Sequence, residues 1–282
     1  TEEIINSSSK LRIIGRAGVG VDNVDVKAAT QKGVLVVNSP GGNTIAAAEH
    51  TIAMMLALSR NIPIANTSTF SGKWERKKFV GNELFKKKLG VVGLGKIGTH
   101  VAKVANALGM DVHGYDPFVS SERAQQLQVK LCELKTLFAE SDYLTLHLPR
   151  TADTENLVDM KVLKSMKNNA KLINCARGGI IDEEALAEAL NNSLIGGAAI
   201  DVFSEEPLNL NSPLLKVDKN LILTPHLGAS TREAQENVAV DVAEQIRDVL
   251  LGLSARTAVN IPGLNPDIMD SLKPHLQLAE TM

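Results

Sequence analysis

The sequence predicts an α/β protein built on a mostly parallel, doubly wound sheet. Two observations predict it. Strand-like apolar runs and helix-like segments alternate along almost the whole of the 282 residues. Within residues 89–116, an apolar run, a glycine-rich turn, an amphipathic stretch and a second apolar run ending in an acid follow one another.

Taken in order, Leu11–Ile14, a short helix near Asp25–Gln31 and Val34–Asn38 make a first small unit, closed by Pro40-Gly41-Gly42. A long helix is expected from Asn43/Thr44 to about Arg60, with Ala46, Ala47, Ile52, Met55 and Leu56 on a wide apolar face. Gly72–Phe79 reads as irregular, polar and basic. Leu89–Val92, Lys96–Leu108 and Met110–Tyr115 give strand, helix and strand. Tyr143–Leu148, Lys171–Cys175, Ala198–Val202 and Leu221–Thr224 read as further strands, with helices at Asn156–Met166 and Glu183–Asn191. Arg232–Leu251 is strongly helical with Gly252 in the C-cap position, and Ala258–Pro262 is a candidate last strand.

This order predicts a discontinuous architecture. Residues 41–228 form a nucleotide lobe, and residues 1–40 with 229–282 form a smaller lobe. The substrate is expected in a cleft outside the carboxyl ends of the strands. The chain starts at Thr1 and reaches a strand candidate almost at once, so the small lobe is expected to lack N-terminal structure.

Each part of the 89–116 unit has a physical task, and together they read as a dinucleotide-binding (Rossmann) fingerprint. Gly93 permits a tight turn, Gly95 lets backbone N–H groups approach a pyrophosphate, and Gly98 allows close helix–strand packing. The helix N-terminus beyond them offers partial positive charge to phosphates. Asp116 can accept hydrogen bonds from a ribose diol and would repel a 2′-phosphate, favouring NAD over NADP.

Composition narrows the function classes. A net charge of −2 implies neither nucleic acid nor an anionic membrane as partner. No apolar run reaches membrane-spanning length, since Glu49-His50 interrupts the stretch from Ile45 to Leu58. Cys132 and Cys175 lack C-x-x-C spacing and are expected as buried free thiols in a reducing compartment, the cytoplasm. No His, Cys and carboxylate cluster has metal-ligand spacing.

Three polar residues follow consecutive strand candidates: Arg177, Glu206 and His226. Strand tips on one edge of a parallel sheet converge, and hydride transfer from a 2-hydroxy acid needs this trio of groups. A histidine can take the hydroxyl proton, a carboxylate can orient it, and an arginine can grip the substrate carboxylate and polarise the forming carbonyl. Singly, each could be an ordinary surface ion or loop residue, and Glu205 competes with Glu206 for the carboxylate role. Asp201, also at a strand end, is expected to contact cofactor rather than substrate.

The segments Arg16–Asn23, Gly72–Phe79, Val92–Gly98, Asn174–Gly179, Asp201–Pro207 and Pro225–Thr231 resemble the D-isomer-specific 2-hydroxyacid dehydrogenases. The resemblance implies a Rossmann NAD domain beside a discontinuous, flavodoxin-like substrate domain that is incomplete at its N-terminus here. It implies NAD-dependent oxidation of 3-phospho-D-glycerate, with Arg177, Glu206 and His226 as the catalytic set. It also implies NAD contacts from Gly93, Gly95, Lys96, Ile97, Gly98, Asp116, Leu148, Cys175, Ala176, Asp201, Gly228 and Ala229. Substrate contacts are implied for Arg16, Ala17, Gly18 and Asn43, and a homodimer or homotetramer is implied through the long helix and the Trp74 passage. Two alternatives stay open: a glyoxylate/hydroxypyruvate reductase, and a non-catalytic NAD-sensing protein of the same fold.

Overall fold

The computed structural model describes residues 1–261. In chain order the first elements are α1 (Glu2–Ser7), β1 (Ile13–Arg16), α2 (Val26–Gln31) and β2 (Leu35–Asn38). Next come α3 (Thr44–Ser59), α4 (Ile62–Phe70), a 3-10 turn at Arg76–Phe79, β3 (Lys88–Val92), α5 (Lys96–Ala107) and β4 (Asp111–Tyr115). Then follow α6 (Ser121–Gln126), β5 (Lys130–Leu131), α7 (Leu134–Glu140), β6 (Tyr143–Leu146), α8 (Met160–Ser165), β7 (Lys171–Asn174) and α9 (Glu183–Asn191). The described elements end with β8 (Gly197–Ile200), a 3-10 turn at Pro213–Lys216, β9 (Leu221–Leu223) and α10 (Arg232–Leu250). Thr44–Thr231 forms one compact unit; Thr1–Asn43 and the segment from Arg232 form another.

In the larger unit a 7-stranded sheet runs β5-β4-β3-β6-β7-β8-β9, every pairing parallel. The strand order reverses between β3 and β6, the switch point at which open α/β sheets bind ligands. Alternation of side chains divides the core in two. Val92, Leu144, Leu146, Leu172, Ala198 and Ile200 pack with α7, α8 and α9 on one face. Leu89, Val91, Val112, Tyr143, Ile173 and Ala199 pack with α3 and α5 on the other. Strands buried on both faces need helices on both, which makes the sheet doubly wound.

Most boundaries agree with the sequence patterns, and the differences have local causes. The helix expected at Asn156–Met166 begins only at Met160. Asn156 takes a left-handed conformation (φ 50°), Val158 bridges Ile181, and the Asp159 carboxylate caps the helix by accepting the Val162 N–H at 2.8 Å. The sequence patterns do not predict α1, α4, α6, β5 or α7. None of α4 is buried, and both residues of β5 are exposed, so apolar periodicity is absent there.

In the smaller unit β1 and β2 pair in parallel, Ile13 opposite Leu35. α10 lies against β1, where a Cβ on Gly15 would come within 2.4 Å of Val242 Cγ1. The fully buried Gln245 donates to the Asn38 carbonyl at 3.0 Å and accepts from the Thr257 N–H at 3.1 Å. The strand expected at Ala258–Pro262 reduces to a single antiparallel bridge between Val37 and Ala258. Its cause is Asn260, whose side-chain oxygen takes the Val36 N–H at 2.8 Å, so the ladder stops. Pro262 lies outside the described residues.

Candidate active site

Because all strands of the larger unit are parallel, the tips of β3, β4, β6, β7, β8 and β9 share one edge. The glycine turn leaves β3 there. A Cβ on Gly93 (φ 92°) would stand 2.5 Å from the His147 carbonyl oxygen, and one on Gly98 would stand 2.0 Å from the Gly93 carbonyl oxygen. Both positions exclude a side chain. Gly95 is different: a Cβ there would meet nothing within 4 Å, so the turn opens onto free space. No side chain caps α5, and the first N–H groups of Lys96 and Ile97 face that opening as orphan donors. A pyrophosphate fits this cradle by charge and by shape. Leu148 packs over Gly93, its Cδ2 3.0 Å from the Cβ position. Asp116 closes the far side, accepting the Leu94 N–H (2.8 Å) and the Phe118 N–H (2.9 Å). One lone pair on each of its oxygens remains for a diol.

At the β7 tip, Asn174 shapes the turn that carries Arg177. Its amide donates to the Arg177 carbonyl at 2.9 Å and accepts the Ala176 N–H at 3.0 Å. Arg177 Nη1 donates to the Ala176 carbonyl at 2.6 Å. At the β8 tip, Glu206 turns back so that Oε1 accepts the Phe203 N–H at 3.0 Å and Oε2 meets His226 Nδ1 at 2.7 Å. Glu205 instead accepts from Asn209 at 3.3 Å, so Glu206 is the carboxylate paired with His226. With Nδ1 engaged, His226 presents Nε2. The ring is about half exposed (47%), and a cavity of about 580 Å³ opens beside it, walled by Phe203, Leu208, Leu215, Leu223 and Pro225.

The turn from Thr224 to Gly228 is held by one buried acid. Asp201 is 0% exposed, and its carboxylate accepts from Thr224 Oγ1 (2.5 Å), the Leu227 N–H (2.8 Å) and the Gly228 N–H (2.8 Å). Its carbonyl accepts the His226 N–H at 2.9 Å. Burial alone would raise the Asp201 pKa, but hydrogen bonds from His50, Thr224 and the Leu227 N–H outweigh burial and hold it below the ordinary value. These bonds maintain His226 in a left-handed backbone conformation (φ 55°) that costs on the order of 1 kcal/mol outside such support. Gly228 nestles against Asp201 and the Cys175 carbonyl, and Ala229 follows it.

His50, Cys175 and Asp201 also meet, with ligand-type atoms within 4.8 Å of one another. The donor set does not suit a cation. Asp201 is already filled by protein donors, and burial pushes the Cys175 thiol up to about 12, far from the thiolate a metal needs. Cys132 is half-buried rather than buried, and both cysteines are free. His147, missed in the sequence, is lowered to about 4 by burial and so stays neutral near pH 7. His50 and Thr224 were missed as well; the available signal was a lone imidazole inside an otherwise apolar helix face.

In the smaller unit Arg16 ends β1 and donates from Nη1 to the Ala17 carbonyl at 3.1 Å. Gly18 (φ 150°) leaves room for that guanidinium, since a Cβ would come within 1.5 Å of Nη1. The Asn43 side-chain oxygen is buried with no hydrogen-bond partner.

Residues 52–228 match the family model described as D-isomer specific 2-hydroxyacid dehydrogenase, NAD binding domain. A D-3-phosphoglycerate dehydrogenase of Synechocystis sp. is 64% identical over 282 residues, 100% of this chain and 50% of that protein. One from Archaeoglobus fulgidus is 52% identical over 280 residues, 99% of this chain and 53% of that protein. The chain thus spans about half the length of the curated relatives it matches. Among solved structures, a D-lactate dehydrogenase from Aquifex aeolicus complexed with NAD and lactic acid matches with a TM-score of 0.84 at 28% identity, covering 93% of this chain and 84% of that one. A protein from Thermus thermophilus matches with a TM-score of 0.83 at 35% identity, covering 92% and 82%. Among the described residues no helix is long and apolar enough to cross a membrane. The chain belongs to the D-isomer specific 2-hydroxyacid dehydrogenases and carries their NAD-binding domain.

Proposed function

We propose that the protein oxidises 3-phospho-D-glycerate to 3-phosphohydroxypyruvate, the first step of serine synthesis by the phosphorylated route. The observation that carries this reading is the 2.7 Å pair between His226 Nδ1 and Glu206 Oε2 on the same sheet edge as the dinucleotide turn. Relatives named D-3-phosphoglycerate dehydrogenase that align with essentially the whole chain support the choice of substrate. His226 Nε2 accepts the substrate hydroxyl proton, and Glu206 stabilises the imidazolium that results. Arg177 supplies paired donors to the substrate carboxylate and polarises the forming carbonyl. NAD, when bound, takes up the hydride leaving the substrate carbon.

The N–H groups of Lys96 and Ile97, with the turn through Gly93, Gly95 and Gly98, would hold the pyrophosphate of NAD, and Asp116 would accept from the ribose diol. Leu148, Cys175, Ala176, Gly228 and Ala229 would line the rest of the cofactor site, and the buried Asp201 would serve it from behind by holding the 224–228 turn. Arg16, Ala17, Gly18 and Asn43 serve the substrate; residues 41–228 act as the nucleotide domain and 1–40 with 229–282 as the substrate domain, within three residues of the compact-unit boundaries at Asn43 and Thr231. A homodimer or homotetramer is supported by α4, which buries none of its residues and exposes Ile62 (53%), Ile64 (52%) and Phe70 (86%), with Trp74 (80%) beyond. Two free thiols fit a cytoplasmic location.

The test is NADH formation on mixing the protein with NAD and 3-phosphoglycerate, with unphosphorylated D-2-hydroxy acids as rivals. His226→Ala should lower turnover by about 10²–10⁴-fold with NAD affinity unchanged. Retained turnover in that variant would remove the proton-acceptor assignment, and preference for a plain hydroxy acid would turn the reading to a glyoxylate/hydroxypyruvate reductase. Light scattering that gives a monomer mass at micromolar concentration would remove the oligomer.

A further inference from the structure

His50 is the one imidazole on α3, among Ala46, Ala47, Thr51, Met54 and other residues that the helix buries. Its Nε2 lies 3.2 Å from Asp201 Oδ1 and 3.3 Å from Thr224 Oγ1. A carboxylate can only accept, so the ring nitrogen facing it is the one that carries the proton. Asp201, in turn, binds the backbone of His226, Leu227 and Gly228 and the hydroxyl of Thr224. The polar links that set the His226 turn therefore converge on a single buried residue, and His50 is the side chain from outside the turn that donates to it.

We infer that His50 is a positioning residue for His226. It touches neither His226 nor Glu206 in any hydrogen bond, and acts by completing the charged anchor on which the 224–228 turn is set. Two features make the turn sensitive to that anchor. His226 holds φ at 55°, a conformation that persists only where surrounding bonds over-determine it. The anchor is also fully buried, so a missing donor is not replaced freely by water. Loss of the His50 donor leaves Oδ1 to Thr224 and Leu227 alone, and leaves the Thr224 oxygen without the ring that faces it. The inference rests on the dehydrogenase reading only for its effect on turnover; its effect on the His226 ring does not depend on that reading.

Two substitutions separate the donor from the volume. His50→Leu keeps the bulk and deletes the donor, while His50→Gln places an amide N–H at the reach of Nε2. The chain has six histidines, so long-range 1H–15N spectra of the full chain resolve the rings, with His226→Ala assigning its own signals. In His50→Leu the His226 ring nitrogens should shift away from the Glu206-bonded pattern, and in His50→Gln they should return to it. In steady state, kcat should fall about tenfold in His50→Leu with KM for NAD within about twofold, and His50→Gln should recover most of it. Should His50→Leu fail to fold, His50→Asn, whose amide falls short of Asp201, takes its place. An unchanged His226 signature in the donor-less variant overturns the inference, as does a His50→Gln variant no better than His50→Leu. If the ring signature responds as stated but the unmodified protein oxidises no 2-hydroxy acid, the positioning role stands and the dehydrogenase reading falls.

Discussion

Gly178 lies flush against Phe203: a Cβ on Gly178 would stand 1.7 Å from the Phe203 carbonyl oxygen. The turn after β7, which carries Arg177, is thereby seated directly on the turn after β8, which carries Glu206. The contact is backbone on backbone, so no side chain can yield. Gly178→Ala must push the two turns apart, at about 1–3 kcal/mol, the usual cost of overpacking. We expect a lower denaturant midpoint together with loss of turnover out of proportion to loss of NADH binding. A variant with full activity and unchanged stability would show that the two turns move independently.

Asp201→Asn tests the buried anchor and its pH dependence. The amide keeps one acceptor and turns an NH₂ toward groups that are themselves donors, so about 2 kcal/mol or more should be lost at pH 7. The folded pKa of Asp201 lies below the ordinary value of 3.8. Its stabilisation is therefore complete above the unfolded value and fades as pH falls through the lower folded value. The gap in unfolding free energy between the native protein and Asp201→Asn should be constant from pH 8 to pH 5 and narrow below about pH 4. A gap that stays the same in acid would show that the carboxylate charge contributes nothing.

How much of this is legible in the sequence depends on range. Helix α9 is predicted at its observed bounds because its signals are local: Asp182 caps the N–H groups of Glu184 and Ala185, and an apolar face follows. The glycine turn is readable for the same reason, since strand, turn and helix adjoin in sequence. The choice between Glu205 and Glu206 is not readable from residues alone, because both acids sit in one turn and only the reach of His226 from the β9 tip separates them. His50 is legible only as an interruption of a hydrophobic stretch. Its partner Asp201 lies just past the end of β8, far along the chain, and pairing across such a distance leaves no periodic trace.

Asp116 has two tasks, and its replacement should reveal both. Asp116→Ser removes the negative charge that opposes a 2′-phosphate, so the preference for NAD over NADP should fall by about tenfold or more. The same change replaces the carboxylate that accepts the Leu94 N–H with a shorter, neutral hydroxyl, which weakens that bond inside the glycine turn. Affinity for NAD itself should therefore drop as well, rather than staying constant while NADP improves. Titration of NADH and NADPH fluorescence separates the two effects; unchanged NADH affinity would mean that the Leu94 bond does not organise the turn.

The thiols report on how tightly the site is closed. Burial, followed by the Asp201 charge, pushes Cys175 up to about 12, so at pH 8 very little of it is the thiolate that disulfide reagents attack. Burial also raises Cys132, against the opposing pull of Lys88. In the folded protein both should react slowly with an aromatic disulfide reagent, and Cys175, isolated in a Cys132→Ser background, should react about a thousandfold more slowly than in denaturant. Cys175 is buried beside α3 at the start of the turn that carries Arg177, so its reaction rate measures opening on that side of the sheet, this turn included. Prompt labelling of Cys175 under native conditions would mean that this segment is not held by the Asn174 and Gly178 contacts, and with it the fixed placement of the guanidinium would be lost.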